Sequence, residues 1–324
     1  MPSITGFLRQ YLGKEEPKPP PPISTGTASA LLVIYTFLYV APFYLSRTTR
    51  PSRTLSRDAP SVIQARILSV SLTCTACSAI TLLILTSSGV GATYGEGLHS
   101  MGWWPVGLPE TARALLLTAA LFSGPLYETL IVHEGWRDWV RLEPVYELFG
   151  EWTTWRNIVA GPFTEEVLFR SASVPLMLAA ETSVTKTIFL SPVIFGLAHF
   201  HHFYEFRVTH PHVPVAHGLL RSLLQLGYTS LFGAYATFLL LRTGSLLAII
   251  VVHAFCNCMG FPRFWGRVEP ELETTRGDVP ATMKKPSVLW TVVYYALLVV
   301  GAVSWWKLLG PLTESTNALV SIDM

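Results

Sequence analysis

Two adjacent carboxylates and an arginine lie in an otherwise apolar stretch, GPFTEEVLFRS, at residues 161–171. On a helix Glu166 and Arg170, four residues apart, share one face and can form an ion pair. Glu165 lies about 100° away, without an arginine on its own face. A carboxylate in a confined, partly dry site binds a proton more tightly and suits a general base near neutral pH. These residues alone leave open both a catalytic base and a purely structural ion pair.

A histidine-rich stretch, FGLAHFHHFYE, follows at residues 195–205. His199 falls inside the apolar run, while His201 and His202 fall at its end, where we expect them at the membrane interface. A neutral imidazole can hold and polarise a water molecule. A histidine on an apolar helix can also be a hydrogen-bonded core residue, so this stretch too supports two interpretations.

His253 and Asn257 are four residues apart in VVHAFCNCMG, residues 251–260. On a helix they lie side by side, where two hydrogen-bond donors could stabilise an oxyanion. The alternative is a hydrogen-bonded pair that joins two helices. A thiol nucleophile at Cys256 beside His253 is a further alternative, whereas the sequence contains no GxSxG motif for a serine nucleophile.

The composition shows where these polar groups must reside. Half of the 324 residues are hydrophobic and only 14% are charged, against about 25% in ordinary soluble domains. The mean hydropathy is +0.42. These values predict an integral membrane protein, in which buried ionisable side chains face a cavity or a partner. The net charge of +2, without a basic tract, argues against nucleic-acid binding.

Apolar segments predict an all-α, polytopic fold of about eight transmembrane helices around an intramembrane cavity. The predicted segments are 29–45, 62–88, 112–132, 157–180, 186–200, 215–241, 244–260 and 288–306. We divide the chain into a polar, proline-rich N-terminal extension (1–28), a membrane domain (29–310) and a short tail (311–324). Cys74 and Cys77 fall within the second segment and are expected to be packing residues.

Arginine and lysine in short loops predict the orientation. The first loop is rich in arginine, whereas the second, about residues 89–108, contains neither residue type. We therefore place the first loop in the cytosol, together with the loops after the third, fifth and seventh segments. The charges that support this are Arg47, Arg50, Arg53, Arg57, Arg137, Arg141, Arg207, Arg263, Arg267, Lys284 and Lys285. Arg9, Lys14 and Lys18 point weakly the other way.

The three polar stretches resemble, in order and separation, the motifs of a known family. The matching segments are RNIVAGPFTEEVLFRSASVPLML (156–178), SPVIFGLAHFHHFYEFR (191–207) and HAFCNCMGFPR (253–263). EExxxR alone is a weak signal, but EExxxR, FxxxH and HxxxN in successive apolar segments are specific. The chain is similar in this way to the type II CAAX prenyl endopeptidases, the eukaryotic branch of the CAAX-protease and bacteriocin-processing membrane family. The matching core spans about residues 155–263.

The resemblance implies a glutamate-dependent intramembrane endopeptidase of the endoplasmic reticulum, with a site open to the cytosol. Its substrates would be prenylated CaaX-terminated proteins such as small GTPases, from which it releases the aaX tripeptide. Glu165 would activate water with help from His199, and His253 and Asn257 would stabilise the oxyanion. Glu166 and Arg170 would form a supporting pair, with Glu166 in contact with His199. No cofactor is implied.

Three other functions are compatible with some of these residues. A zinc-dependent membrane protease could use the same glutamates and histidines, but HExxH is absent and HEGWR at 133–137 lacks the second histidine. A transporter could use the buried charges as a proton relay, but it would be expected to show inverted repeats, which the sequence lacks. A non-catalytic membrane scaffold is the remaining alternative.

Overall fold

A computed structural model describes residues 20–87, 89–270 and 287–322, and within them all regular secondary structure is helical. This confirms the predicted all-α class. Residues 1–19 of the predicted extension, with Arg9, Lys14 and Lys18, lie outside the described residues, as do Lys284 and Lys285. The predicted division into extension, membrane domain and tail stays a prediction.

Among the described residues, four helices are long and apolar enough to cross a membrane: α1 (Thr25–Leu45), α2 (Pro60–Thr86), α7 (Val215–Thr243) and α9 (Val288–Thr313). A fifth crossing is possible through α3 (Leu108–Leu121) and α4 (Ser123–Val132), which meet at an 81° bend. The remaining principal helices, α5 (Val184–Ala198), α6 (His201–Thr209) and α8 (Leu246–Met259), are shorter. The predicted helical segments are therefore found, but the count of eight spans is not confirmed.

Capping residues explain where several of these helices begin. The hydroxyls of Ser24, Ser183 and Ser245 accept hydrogen bonds from N–H groups in the first turns of α1, α5 and α8, which have no partner within the helix. Pro60 starts α2 at a position where its missing N–H costs nothing. Helix α7 ends at Gly244, whose φ of 59° suits glycine, and a Cβ there would collide with the Asn317 carbonyl oxygen.

The outer faces of the long helices are apolar. Large aliphatic and aromatic side chains are exposed along α1, α2, α7 and α9, among them Val33, Phe37, Leu68, Leu72, Leu220, Leu224, Val292 and Val299. Such a continuous exposed apolar belt is unfavourable in water and is compatible with lipid. The fold thus presents hydrocarbon to the bilayer and keeps its polar groups inside.

Short helices connect the spanning ones. Tyr94–Ser100 follows α2, and Trp136–Val140 and Glu143–Gly150 follow α4. The latter two helices expose Trp136, Trp139 and Tyr146. Amphipathic aromatic residues of this kind are enriched where membrane and water meet, so this stretch is suited to the interface.

The first polar motif lies on an interrupted helical run, which we call the site helix (residues 152–172). It consists of Trp152–Trp155, a π-helical turn at Arg156–Ala160, Gly161–Glu166, and a second π-helical turn at Val167–Ala172. Val174–Ala179 continues the chain. Within a π-helical turn the angle between successive side chains differs from the 100° of a regular α-helix. The direction of each side chain in these two turns is therefore not given by α-helical geometry alone.

Helices α5 and α7 pack closely around one end of the site helix. A Cβ on Gly196 of α5 would lie 2.6 Å from side-chain atoms of both Leu226 and Ser230 of α7. The approach of the two backbones therefore depends on a residue without a side chain, as is common between membrane helices. This contact fixes the position of the histidine-rich end of α5 relative to the two glutamates.

Candidate active site

The two adjacent glutamates occupy different environments. The side chain of Glu165 is 21% exposed, whereas that of Glu166 is completely buried. Glu165 lines a cavity of about 190 Å³ between the helices, which has room for several water molecules. Glu165 is therefore the glutamate that water and a substrate can reach.

Glu166 and Arg170 form the predicted ion pair inside the protein. Arg170 Nη1 lies 3.2 Å from Glu166 Oε1, and the arginine side chain is only 1% exposed. The guanidinium lies over the ring of Phe195, 4.4 Å from its centroid, and 5.9 Å from that of Phe232. A charged pair this deeply buried needs such additional contacts to offset its desolvation.

His253 joins the two glutamates. Its Nδ1 lies 2.7 Å from Glu166 Oε1, and its Nε2 lies 3.9 Å from Glu165 Oε2. An ionised carboxylate only accepts hydrogen bonds, so Nδ1 carries a proton and donates to Glu166. The sequence-based expectation that Glu166 contacts His199 is wrong, because the histidine bonded to Glu166 belongs to α8, not to α5.

His199 lies at the C-terminal end of α5, not in its interior, and lines the cavity. Its Nδ1 is 3.3 Å from the Phe195 carbonyl oxygen, and the two rings meet edge to face at 4.7 Å. Since a carbonyl oxygen is an acceptor, Nδ1 carries the proton. Nε2, to which no residue in the described part of the chain bonds, can accept a hydrogen bond. This arrangement fits the predicted task of holding water.

Asn257 also lines the cavity, from α8. Its Nδ2 donates to the backbone carbonyl oxygen of Asn157, 2.8 Å away, at the start of the site helix. The amide has two N–H groups, so one of them is left for another acceptor. Glu165, His199 and Asn257 thus face one cavity, and His253 adjoins it through Glu165.

His201 and His202, expected at the interface, also line the cavity and are half-buried. With Glu205 of the polar helix α6 they offer ligand atoms within 4.8 Å of one another, the one such group within residues 20–87, 89–270 and 287–322. Glu205 is, however, already paired with Arg66 at 2.8 Å and Arg57 at 3.2 Å. Burial raises the pKa of Glu205, but the hydrogen bond from His202 and the two arginines outweigh burial and hold that pKa well below its usual range.

The cysteines have structural surroundings. Cys74 and Cys77 are buried, in agreement with the predicted packing role. Cys256 is half-buried against the core and is not among the residues that line the cavity. The arrangement therefore favours attack by water over attack by a thiol.

Comparison with known proteins identifies the family. A family model described as type II CAAX prenyl endopeptidase Rce1-like matches residues 148–259. The probable CAAX prenyl protease 2 of Schizosaccharomyces pombe is 34% identical over 284 residues, which cover 87% of this chain and 92% of the relative. The chain belongs to the type II CAAX prenyl endopeptidase family.

Other members of this family are similarly related. The CAAX prenyl protease 2 of Arabidopsis thaliana is 34% identical over 261 residues, covering 74% of this chain and 81% of the relative. The human CAAX prenyl protease 2 is 34% identical over 246 residues, covering 71% and 70% respectively. No solved structure matches the chain.

Sequence reasoning missed the cationic residues of this endopeptidase cavity. Arg57, Arg66 and Arg156 line it together with Glu165. Arg57 precedes α2, Arg66 lies within it, and Arg156 stands nine residues before Glu165. None of these arginines stands at a sequence spacing that would place it in a site, so only the folded arrangement reveals them.

Gly233 of α7 is predicted to be essential for the placement of Arg170. A Cβ there would lie 2.6 Å from Arg170 Nη2 and 2.6 Å from Pro192 Cβ. We expect Gly233→Ala to cost about 1–3 kcal/mol of stability through overpacking and to lower protease activity, because Arg170 must move. Thermal unfolding in detergent and peptide cleavage measure the two effects.

Gly227, on the same helix, provides the matched control. No atom of the described residues lies within 4 Å of a Cβ placed there, and alanine is favoured over glycine in a helix by about 1 kcal/mol. Gly227→Ala should therefore keep or raise the Tm. Equal changes in Tm and in peptide cleavage for the two variants would contradict the assigned role of Gly233.

Proposed function

We propose that this protein is an intramembrane endopeptidase that removes the aaX tripeptide from prenylated CaaX proteins. The observation that carries the proposal is a water-accessible glutamate, Glu165, in a cavity between apolar helices, with His253 3.9 Å away. Membership of a family whose relatives are called CAAX prenyl protease 2 supports the choice of substrate. Small GTPases that carry a CaaX terminus are the proposed partners.

In the proposed reaction a water molecule lies between Glu165 Oε2 and His253 Nε2. Their separation of 3.9 Å accommodates a water that donates to Glu165 Oε2 and accepts from the Nε2–H of a protonated His253 ring, a donor that can turn to the oxyanion as the attack proceeds. Glu165 removes one proton as the water oxygen attacks the carbonyl carbon of the prenylated cysteine. The C–N bond then breaks, and that proton passes from Glu165 to the nitrogen of the departing tripeptide. Water is the nucleophile, so no covalent enzyme intermediate forms.

The carbonyl oxygen becomes negatively charged during the attack and needs donors that are already in place. We assign this task to the second N–H of Asn257 and to His253. Because His253 Nδ1 donates to Glu166, Nε2 can donate only when the ring is protonated, and the carboxylate of Glu166 is positioned to balance that charge. His199 Nε2 accepts the second hydrogen of the water and orients it.

The surroundings of the cavity support access from the cytosolic leaflet of the endoplasmic reticulum membrane. Arg57, in the loop predicted to be cytosolic, lines the cavity together with Arg156. The isoprenoid can remain among the apolar helices and lipid while water enters from this polar side. Substrate held in this way is aligned against Glu165, which contributes proximity as well as electrostatic catalysis.

The decisive experiment compares a farnesylated CaaX peptide with the same peptide lacking the farnesyl group. We expect the purified protein to release the intact aaX tripeptide from the farnesylated peptide and to cleave the other much more slowly. Mass spectrometry of the products identifies the bond cut. Cleavage at another position, or no preference for the lipidated peptide, would contradict the proposed function.

We also propose that hydrolysis needs no metal ion. The group formed by His201, His202 and Glu205 has a suitable donor set, but Arg57 and Arg66 already occupy both oxygens of Glu205. Activity should therefore survive exhaustive chelation and be unchanged by added zinc. Loss of cleavage on chelation with recovery on zinc addition would favour the zinc-protease alternative.

A further inference from the structure

The wall of the cavity formed by α2, its preceding loop and the start of the site helix is cationic. Arg57, Arg66 and Arg156 all line it. Arg57 and Arg66 share the carboxylate of Glu205, and Arg156 Nη1 lies 2.7 Å from Asp58 Oδ1. Three cations therefore face two acids, which leaves one positive charge in excess on this wall.

Arg156 and Arg57 retain donors for a ligand. Arg156 bonds Asp58 through Nη1 and Asn157 through Nε, and no residue in the described part of the chain bonds its Nη2. Arg57 uses Nη1 for Glu205, and its Nε lies 3.8 Å from Asp58. Arg66 is more fully occupied, by Glu205 and by the Thr49 carbonyl oxygen. A planar carboxylate or phosphate matches the free edge of a guanidinium.

The spacing from Glu165 has the length of a tripeptide. Arg156 precedes Glu165 by nine residues on the site helix, which includes the π-helical turn Arg156–Ala160. The two residues are therefore separated along the axis by at most about 13 Å, the value for the rise of an α-helix. Three extended residues span about 10 Å. An arginine side chain is long enough to bridge the difference between these two lengths. The negative charge of Glu165 would also repel a second carboxylate, so a substrate terminus is stable only at the far, cationic end.

We propose that Arg156, together with Arg57, binds the free α-carboxylate of the last residue of the substrate and thereby sets the length of the released peptide at three residues. This inference rests on the proposed endopeptidase function, because only a substrate cut near its C-terminus presents that carboxylate here. The two arginines bind the C-terminal carboxylate of the substrate. The peptide bond that then faces Glu165 is the one that precedes the last three residues.

The test uses the full-length protein and three farnesylated peptides: the free acid, its C-terminal amide, and the acid lengthened by one residue. The wild-type protein should prefer the free acid to both others by about tenfold to hundredfold in kcat/KM, as expected for hydrogen bonds to a charged group. Arg156→Gln should lower kcat/KM by a similar factor for the free acid and hardly change it for the amide. Activity on the amide thus serves as the folding control.

Arg50→Gln is the matched control variant. Arg50 is an exposed arginine of the same loop as Arg57 and is not among the cavity-lining residues, so its loss should leave all three peptides unaffected. Arg57→Gln is a second variant. Like Arg156→Gln, it should lower the ratio of kcat/KM for the free acid to kcat/KM for the amide.

Three outcomes would overturn the inference. One is equal cleavage of acid and amide by the wild-type protein. Another is an equal fall in kcat/KM for the free acid and for the amide in Arg156→Gln. The third is a loss seen only in vesicles that contain phosphatidylserine and absent in pure phosphatidylcholine, which would assign the arginines to a lipid phosphate. Failure of the wild-type protein to cleave any of the peptides would instead refute the proposed function itself.

Discussion

Replacing Glu165 with glutamine is expected to lower kcat by about 10²- to 10⁴-fold while the protein stays folded. Glutamine has the size of glutamate and keeps its hydrogen-bonding capacity, but it cannot accept the proton of the attacking water. The side chain is partly exposed to the cavity, and its Oε2 lies 3.9 Å from His253 Nε2, beyond hydrogen-bond distance. Its contribution to stability is therefore small.

Glu166→Gln is the informative comparison, because the two glutamates are adjacent and chemically identical. Glu166 is fully buried and bonded to both Arg170 and His253. Its replacement leaves the Arg170 charge unbalanced, so we expect a lower Tm as well as lower activity. Glu165→Gln should reduce activity alone.

Single-turnover cleavage of a farnesylated CaaX peptide, with thermal unfolding in detergent, measures both quantities. Glu151→Gln, at an exposed glutamate just before the site helix, should change neither. Near-normal turnover by Glu165→Gln would show that the base is another residue. Loss of activity alone in Glu166→Gln, with a lowered Tm in Glu165→Gln, would assign the role of base to Glu166.

Much of the fold follows from local sequence. The segments predicted at 29–45 and 288–306 correspond to Thr25–Leu45 and Val288–Thr313, because the length of an apolar run is a local property. The number of spans does not follow in the same way. The stretch predicted as one helix at 157–180 contains two π-helical turns, and hydropathy does not report such interruptions.

The residues of the candidate site were recognisable, but their partners were not. Spacing on a single helix correctly placed Glu166 beside Arg170, because both residues lie on one run. The bond between Glu166 and His253 joins residues 87 positions apart, and no pattern in the sequence specifies which of two histidines approaches a given carboxylate. The same limit applies to Arg156, whose place in the cavity depends on how three chain segments meet.

The largest expected loss of stability comes from removing Arg170. Arg170→Met keeps much of the volume between Phe195 and Phe232 but leaves the carboxylate of Glu166 buried without its counter-charge. Breaking a buried ion pair from one side typically costs about 3–5 kcal/mol. We therefore expect a clearly lower Tm and little protease activity. An unchanged Tm would mean that Glu166 is held by His253 alone.

The double variant Glu166→Gln, Arg170→Met separates the structural role of the pair from its role in positioning His253. With both charges gone, no uncompensated charge stays buried, so part of the lost stability should return. Activity should not return with it, because His253 Nδ1 then faces a neutral amide in place of a carboxylate and the charge that balances a protonated ring is missing. Recovery of stability and activity together would show that Glu166 and Arg170 have only a structural role. Recovery of stability alone would make Glu166 a positioning residue for His253.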